Sequence, residues 1–78
     1  MELKYVRHDT VGFVIWPRTD DIWHSHVGSL LKRANGKLVS AGFARLKDGK
    51  AVCYGYSETL DLSSQEDDSA ALTKQLGL

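Results

Sequence analysis

Apolar and polar positions along the chain follow two periods, one of two residues and one helical. The clearest period-two stretch runs from Leu38 to Ser57 around Asp48-Gly49. Strand-like runs on both sides of an Asp-Gly pair predict a β-hairpin with a two-residue turn, over about residues 37–47 and 50–58. Such a turn sets the register, and the register sorts the side chains onto two faces. Leu46 then opposes Ala51, Ala44 opposes Cys53 and Gly42 opposes Gly55, on a face of mostly small residues that a helix can approach closely. The other face carries Val39, Ala41, Phe43, Arg45, Val52, Tyr54 and Tyr56.

Upstream, Leu3 to Arg7 reads as a short strand, and His8-Asp9-Thr10 as a break. Val11 to Trp16 is β-branched and aromatic, which predicts a buried strand stopped by Pro17. Thr19-Asp20-Asp21 then offers helix N-caps. Trp23, Val27, Leu30, Leu31 and Ala34 recur at helical spacing, opposite Ser25, Ser29, Lys32 and Arg33, with Asn35-Gly36 as the C-cap. A helix over about residues 21–34 is expected; Gly28 weakens it, and a strand over Trp23 to Val27 is the rival. Ser63 with Glu66 three residues on matches a capping box opening a second helix over about 64–76, apolar at Leu72 and Leu76 and ended by Gly77. The order β-β-α-β-β-α predicts an α+β fold: one small domain, residues 1–78, with a four-stranded antiparallel sheet and two helices.

Composition narrows the function classes. A 78-residue chain forms one small domain that needs most of its apolar residues for a core. Ten basic residues offset ten acidic ones, so no overall field draws the chain to nucleic acid or an anionic membrane. The single cysteine, Cys53, forms no intrachain disulfide, no apolar run spans a bilayer, and the N-terminus lacks a signal-peptide pattern. A cytoplasmic protein without membrane contact is expected.

The candidate chemistry is sparse. His24 and His26 converge only on a strand; on the expected helix they diverge by about 200°, and no further ligand lies at a zinc spacing. Cys53 is expected to face inward as a small hydrophobe, and Asp20-Asp21 and Glu66-Asp67-Asp68 serve as helix-start acids. Neither enzyme activity nor a metal or other cofactor is expected. Two groups remain as binding candidates. Phe43, Arg45, Tyr54 and Tyr56 form either a core face or an exposed platform, depending on which sheet face the helices cover. Lys32, Arg33, Lys47 and Lys50, with Lys37, form a basic patch if the helix end and the hairpin tip meet.

Val39-Ser40-Ala41-Gly42-Phe43, Cys53 to Leu60, Glu66-Asp67-Asp68 and Lys74-Gln75-Leu76 resemble small proteins encoded by phages and prophages. The similarity covers roughly the C-terminal half, with an echo at Gly12-Phe13-Val14. Some compact phage proteins of this size are anti-CRISPR inhibitors, which bind an effector complex and block its access to DNA or its nuclease. The resemblance implies a non-enzymatic protein-binding module acting on a host defence complex in the host cytoplasm. It carries no catalytic motif, so no residue roles follow from it. The alternative is a nucleic-acid-binding module using the aromatic sheet face. Open sheet edges add homodimerisation as a further option.

Overall fold

The computed structural model describes residues 2–78. The elements run β1 (Glu2–His8), β2 (Gly12–Pro17), α1 (His24–Leu31), β3 (Leu38–Lys47), β4 (Lys50–Tyr54), β5 (Tyr56–Ser57), β6 (Leu62–Ser63) and α2 (Asp68–Gln75). The antiparallel four-stranded sheet has the order β2-β1-β3-β4, and β5 and β6 form a separate two-stranded hairpin. The fold is thus the expected α+β arrangement, with a small extra hairpin inserted before the last helix.

The Asp-Gly turn holds the predicted register. Asp48 and Gly49 both take positive φ, 52° and 75°, the type I′ geometry whose twist matches the flanking strands. Leu46 pairs with Ala51, Ala44 with Cys53, Arg45 with Val52 and Phe43 with Tyr54. The second strand is shorter than the pattern suggests. It ends at Tyr54, the chain turns at Gly55 with φ of 90°, and Tyr56 joins the separate hairpin.

Two cores lie on opposite sides of the sheet. On the small-residue side, Leu72 of α2 packs with Tyr5, Phe13, Ala44 and Ala51, flanked by Leu3, Ile15, Cys53 and Ala71. On the other side, Leu31 of α1 packs with Val6, Trp16 and Ala41, flanked by Val14, Val27, Leu38, Leu60 and Leu62.

Both helices are shorter than their sequence patterns. The Thr19–Ile22 loop stays non-helical because Lys4 Nζ donates to the Thr19 and Ile22 carbonyls, and Trp16 Nε1 also donates to that of Ile22. α1 begins after Trp23, and its buried residues are His24, Gly28 and Leu31 rather than a stripe led by Trp23 and Leu30. Leu30 is 67% exposed. Gly28 faces the hairpin so closely that a Cβ there would lie 2.9 Å from Leu60 Cδ2, which explains a glycine inside this helix. At α2 the expected Ser63–Glu66 box is absent, since Ser63 belongs to β6. The equivalent contact is two residues later: the Asp68 carboxylate accepts the Gln65 N–H at 2.9 Å.

α2 also closes the sheet edges expected to be open. Ser69 and Thr73, one helical turn apart, accept the Cys53 and Ala51 N–H groups at 2.8 and 2.9 Å along β4. On β2, the Gln75 side-chain amide accepts the Phe13 N–H at 2.8 Å and donates to the Phe13 carbonyl at 2.9 Å, as a neighbouring strand would. Ile15 comes next on that edge by the two-residue period, and Pro17 after it has no N–H. Ser69→Ala/Thr73→Ala is expected to lower stability by about 1 kcal/mol for each lost hydrogen bond and to promote association. Urea titration and light scattering test this; an unchanged midpoint with no association would contradict the edge-closing role.

Candidate functional site

The sheet side toward α1 is only half covered. α1 and the β5–β6 hairpin lie over Val6, Trp16 and Ala41, while Phe43 and Tyr54 stay partly exposed and Arg45 exposed. The alternative of core face or platform thus resolves by position along the strands. The early part of β3 is core, and its later part with β4 forms an open ledge.

The ledge is built from stacked groups. The Phe43 and Tyr54 ring centroids lie 6.0 Å apart. The Arg45 guanidinium sits 4.9 Å above the Tyr54 ring, and Arg18, just past β2, sits 4.2 Å above Phe43. Glu2 ties them together, accepting from Arg18 at 2.9 Å and from the Tyr54 hydroxyl. The Tyr54 hydroxyl, then Arg18, hold the Glu2 carboxyl below its usual value, and the Glu2 contact holds the Tyr54 phenol above its own. Arg18 and Glu2 escape sequence reasoning because each is far from Phe43 along the chain and reaches it only through the strand order.

Beside the ledge lies an open groove of about 380 Å³, lined by Lys4, Trp23, His24, Phe43, Tyr56, Ser57, Glu58 and Thr59. His24 forms part of its floor. Its Nε2 lies 2.7 Å from the Gly42 carbonyl, and its ring meets Trp16 and Phe43 edge-on. Burial holds the imidazole below its ordinary value, and the charge of Lys4 adds to this. Trp23 is 54% exposed and Tyr56 47% exposed. The Tyr56 hydroxyl donates to Asp61, which holds its phenol above the usual range, and Trp23 Nε1 donates to the Asp20 carbonyl. The only sequence signal for Trp23 is its place in a helical stripe, which suggests core.

The predicted site residues therefore separate. Phe43, Arg45 and Tyr54 share the ledge, and Tyr56 joins from the β5–β6 hairpin rather than from β4. The basic residues do not gather. Lys32 and Arg33 follow α1 at the Leu38 end of β3, whereas Lys47 and Lys50 flank the turn at its other end. Ten residues of extended β3 span about 30 Å. His26 turns away from His24: its Nδ1 accepts the Trp23 N–H and its ring stacks on Trp23. His8 is not a surface turn residue. It is buried, and its Nδ1 accepts the Thr10 and Val11 N–H groups and organises the β1–β2 turn. Cys53 lies under α2, where burial and then the Asp68 charge push its thiol up to about 11. That placement keeps the thiolate scarce near neutral pH.

Among the described residues, no group of three or more His, Cys, Asp or Glu side chains is placed to hold a metal ion, and no helix is long and apolar enough to cross a membrane. Comparison with family models, curated proteins and solved structures finds no match. The chemistry of the open face is therefore the basis for assigning a role.

Proposed function

We propose that this chain is a non-enzymatic protein-binding module whose contact surface is the ledge and groove on the open half of the sheet. The observation that carries the reading is the combination of exposed aromatic rings and arginines with a surround of balanced charge. Tyr, Trp and Arg dominate the energetics of protein interfaces. A phosphate-binding platform needs the same rings with a cationic surround. Here the cations Lys4, Arg18 and Arg45, with Lys47 and Lys50 farther along the same sheet face, are matched by the carboxylates Glu2, Asp20, Asp21, Glu58 and Asp61, so the surface carries no cationic excess. That balance favours a protein partner over a nucleic acid.

The resemblance of the C-terminal half to small phage-encoded proteins makes a CRISPR effector complex, bound so that its DNA or nuclease site is blocked, the specific target to test. Host-cytoplasm action as a stoichiometric inhibitor belongs to the same proposal. Purified effector complexes are immobilised and titrated with the wild type, with Arg45→Ala/Tyr54→Ala and with Lys74→Ala on α2. The expected result is binding by the wild type and Lys74→Ala, with at least about tenfold weaker binding by the ledge variant. Equal binding by all three would overturn the surface assignment. Salt-sensitive binding to bare oligonucleotides, with none to protein, would favour the nucleic-acid reading.

A further inference from the structure

We infer that the groove between Trp23 and Tyr56 receives an arginine side chain from the partner protein. The inference rests on the proposed interface but concerns a separate part of it. Three rings of the molecule already carry an arginine of the chain itself: Phe13 under Arg7, Phe43 under Arg18 and Tyr54 under Arg45. Trp23 and Tyr56, the most exposed aromatic residues, carry no arginine among the described residues, although the His26 ring stacks on one face of Trp23. Both line the same groove.

Their polar ends are fastened, Trp23 Nε1 to the Asp20 carbonyl and the Tyr56 hydroxyl to Asp61. Rings fixed in this way lose little freedom when a ligand enters. Their surroundings favour a cation. Glu58 lines the groove, Asp61 sits at the Tyr56 hydroxyl, and exposed Asp20 and Asp21 belong to the loop that Lys4 and Trp23 grip. Asp20, Asp21 and Glu58 form no ion pair within the described residues. The only lysine or arginine in the lining, Lys4, gives two ammonium protons to the Thr19 and Ile22 carbonyls at 2.8 and 3.0 Å, which turns its charge toward the loop. A planar guanidinium satisfies both requirements, stacking on an aromatic face while its edge meets a carboxylate. A volume of about 380 Å³ is at the small end of the range for ligand pockets and suits a single inserted side chain.

The test is a titration of isotope-labelled protein with a glycine-flanked peptide carrying two arginines, and with its citrulline counterpart, which keeps the shape and removes the charge. Resonance shifts are expected at the Trp23 indole N–H and at the Tyr56 to Thr59 amides. The citrulline peptide should bind at least about tenfold more weakly. Glu58→Gln, an exposed substitution that leaves both cores intact, should weaken the arginine peptide about threefold and flatten its salt dependence. Equal binding of the two peptides, shifts confined to Arg45 and Tyr54, or an unaffected Glu58→Gln variant would overturn the inference. The effector titration separates the two levels. If Arg45→Ala/Tyr54→Ala loses the partner while Glu58→Gln keeps full affinity, the interface stands and the arginine-binding groove falls.

Discussion

Asp68→Ala is expected to lower stability by about 3–5 kcal/mol, the loss typical of leaving a buried charge network without its centre. A chain of this length has about 4–12 kcal/mol in total, so the variant should be largely unfolded at modest urea concentrations. Asp68 is 0% exposed. Its carboxylate accepts from the Tyr5 hydroxyl at 2.5 Å, from Arg7 at 3.0 Å and from the Gln65 N–H at 2.9 Å. Truncation strands the Tyr5 hydroxyl, beside the core around Leu72, and the Gln65 N–H, and leaves Arg7 with Asp67 as its only carboxylate. Asp68→Asn retains an acceptor for Gln65 but loses the charge that Arg7 and Tyr5 meet, so it should fall between the two. Urea unfolding followed by tryptophan fluorescence measures each step. A loss under about 1 kcal/mol for Asp68→Ala would show that the network contributes little.

The same network sets an acid limit. Burial alone would push the Asp68 carboxyl up, but the Gln65 N–H, the Tyr5 hydroxyl and Arg7 together hold it below its ordinary value of 3.8. Between that value and the lower one in the folded state, the unfolded chain binds the extra proton. Stability from this group is therefore complete above about pH 5 and declines as the pH falls through the folded-state value. Asp68→Asn should remove that part of the acid dependence.

Gly42→Ala is expected to destabilise the fold by about 1–3 kcal/mol and to displace the ledge as well. A Cβ at this position would lie 2.5 Å from the Tyr54 carbonyl oxygen, which is backbone and cannot swing aside. Relief requires β4 to move from β3 at the point where Phe43 pairs with Tyr54. The Gly42 carbonyl also meets His24, so the groove floor would shift with it. The sequence suggests that a helix approaches Gly42; in the structure the close neighbour is the end of the adjacent strand. Gly49→Ala is the contrast. Nothing lies within 4 Å of its Cβ, but φ is 75°, so it should lose about 1 kcal/mol from backbone strain and leave the ledge resonances in place. Thermal melts and resonance shifts at Tyr54 separate the two effects. A Gly42→Ala variant with wild-type stability and unshifted Tyr54 would refute the packing argument.

Much of the sheet was legible because its signals are local. The Asp48-Gly49 turn carries its own φ preferences, and the two-residue period propagates them to Phe43 and Tyr54 without any distant contact. The helices were legible in existence but not in extent. Trp23 and His24 are adjacent, about 100° apart around a helix, and hydrophobicity alone selects the tryptophan as the buried one. The sheet buries His24 instead, because its ring fits between Trp16 and Phe43 and its Nε2 meets the Gly42 carbonyl. Ser69, Thr73 and Gln75 look like a solvated helix face until the strand order shows that they fill the backbone valences of β4 and β2.

By itself, then, the chain's pattern determined the α+β class, the hairpin register and the placing of Phe43, Arg45 and Tyr54 on one face, since each depends on neighbours a few residues away. Tertiary structure alone decided that half of that face is covered and half open, that Tyr56 leaves the sheet to line a groove, and that the lysines lie at opposite ends. Those outcomes follow from the length of α1, the turn at Gly55 and the order of the strands, and contacts between distant parts of the chain set all three.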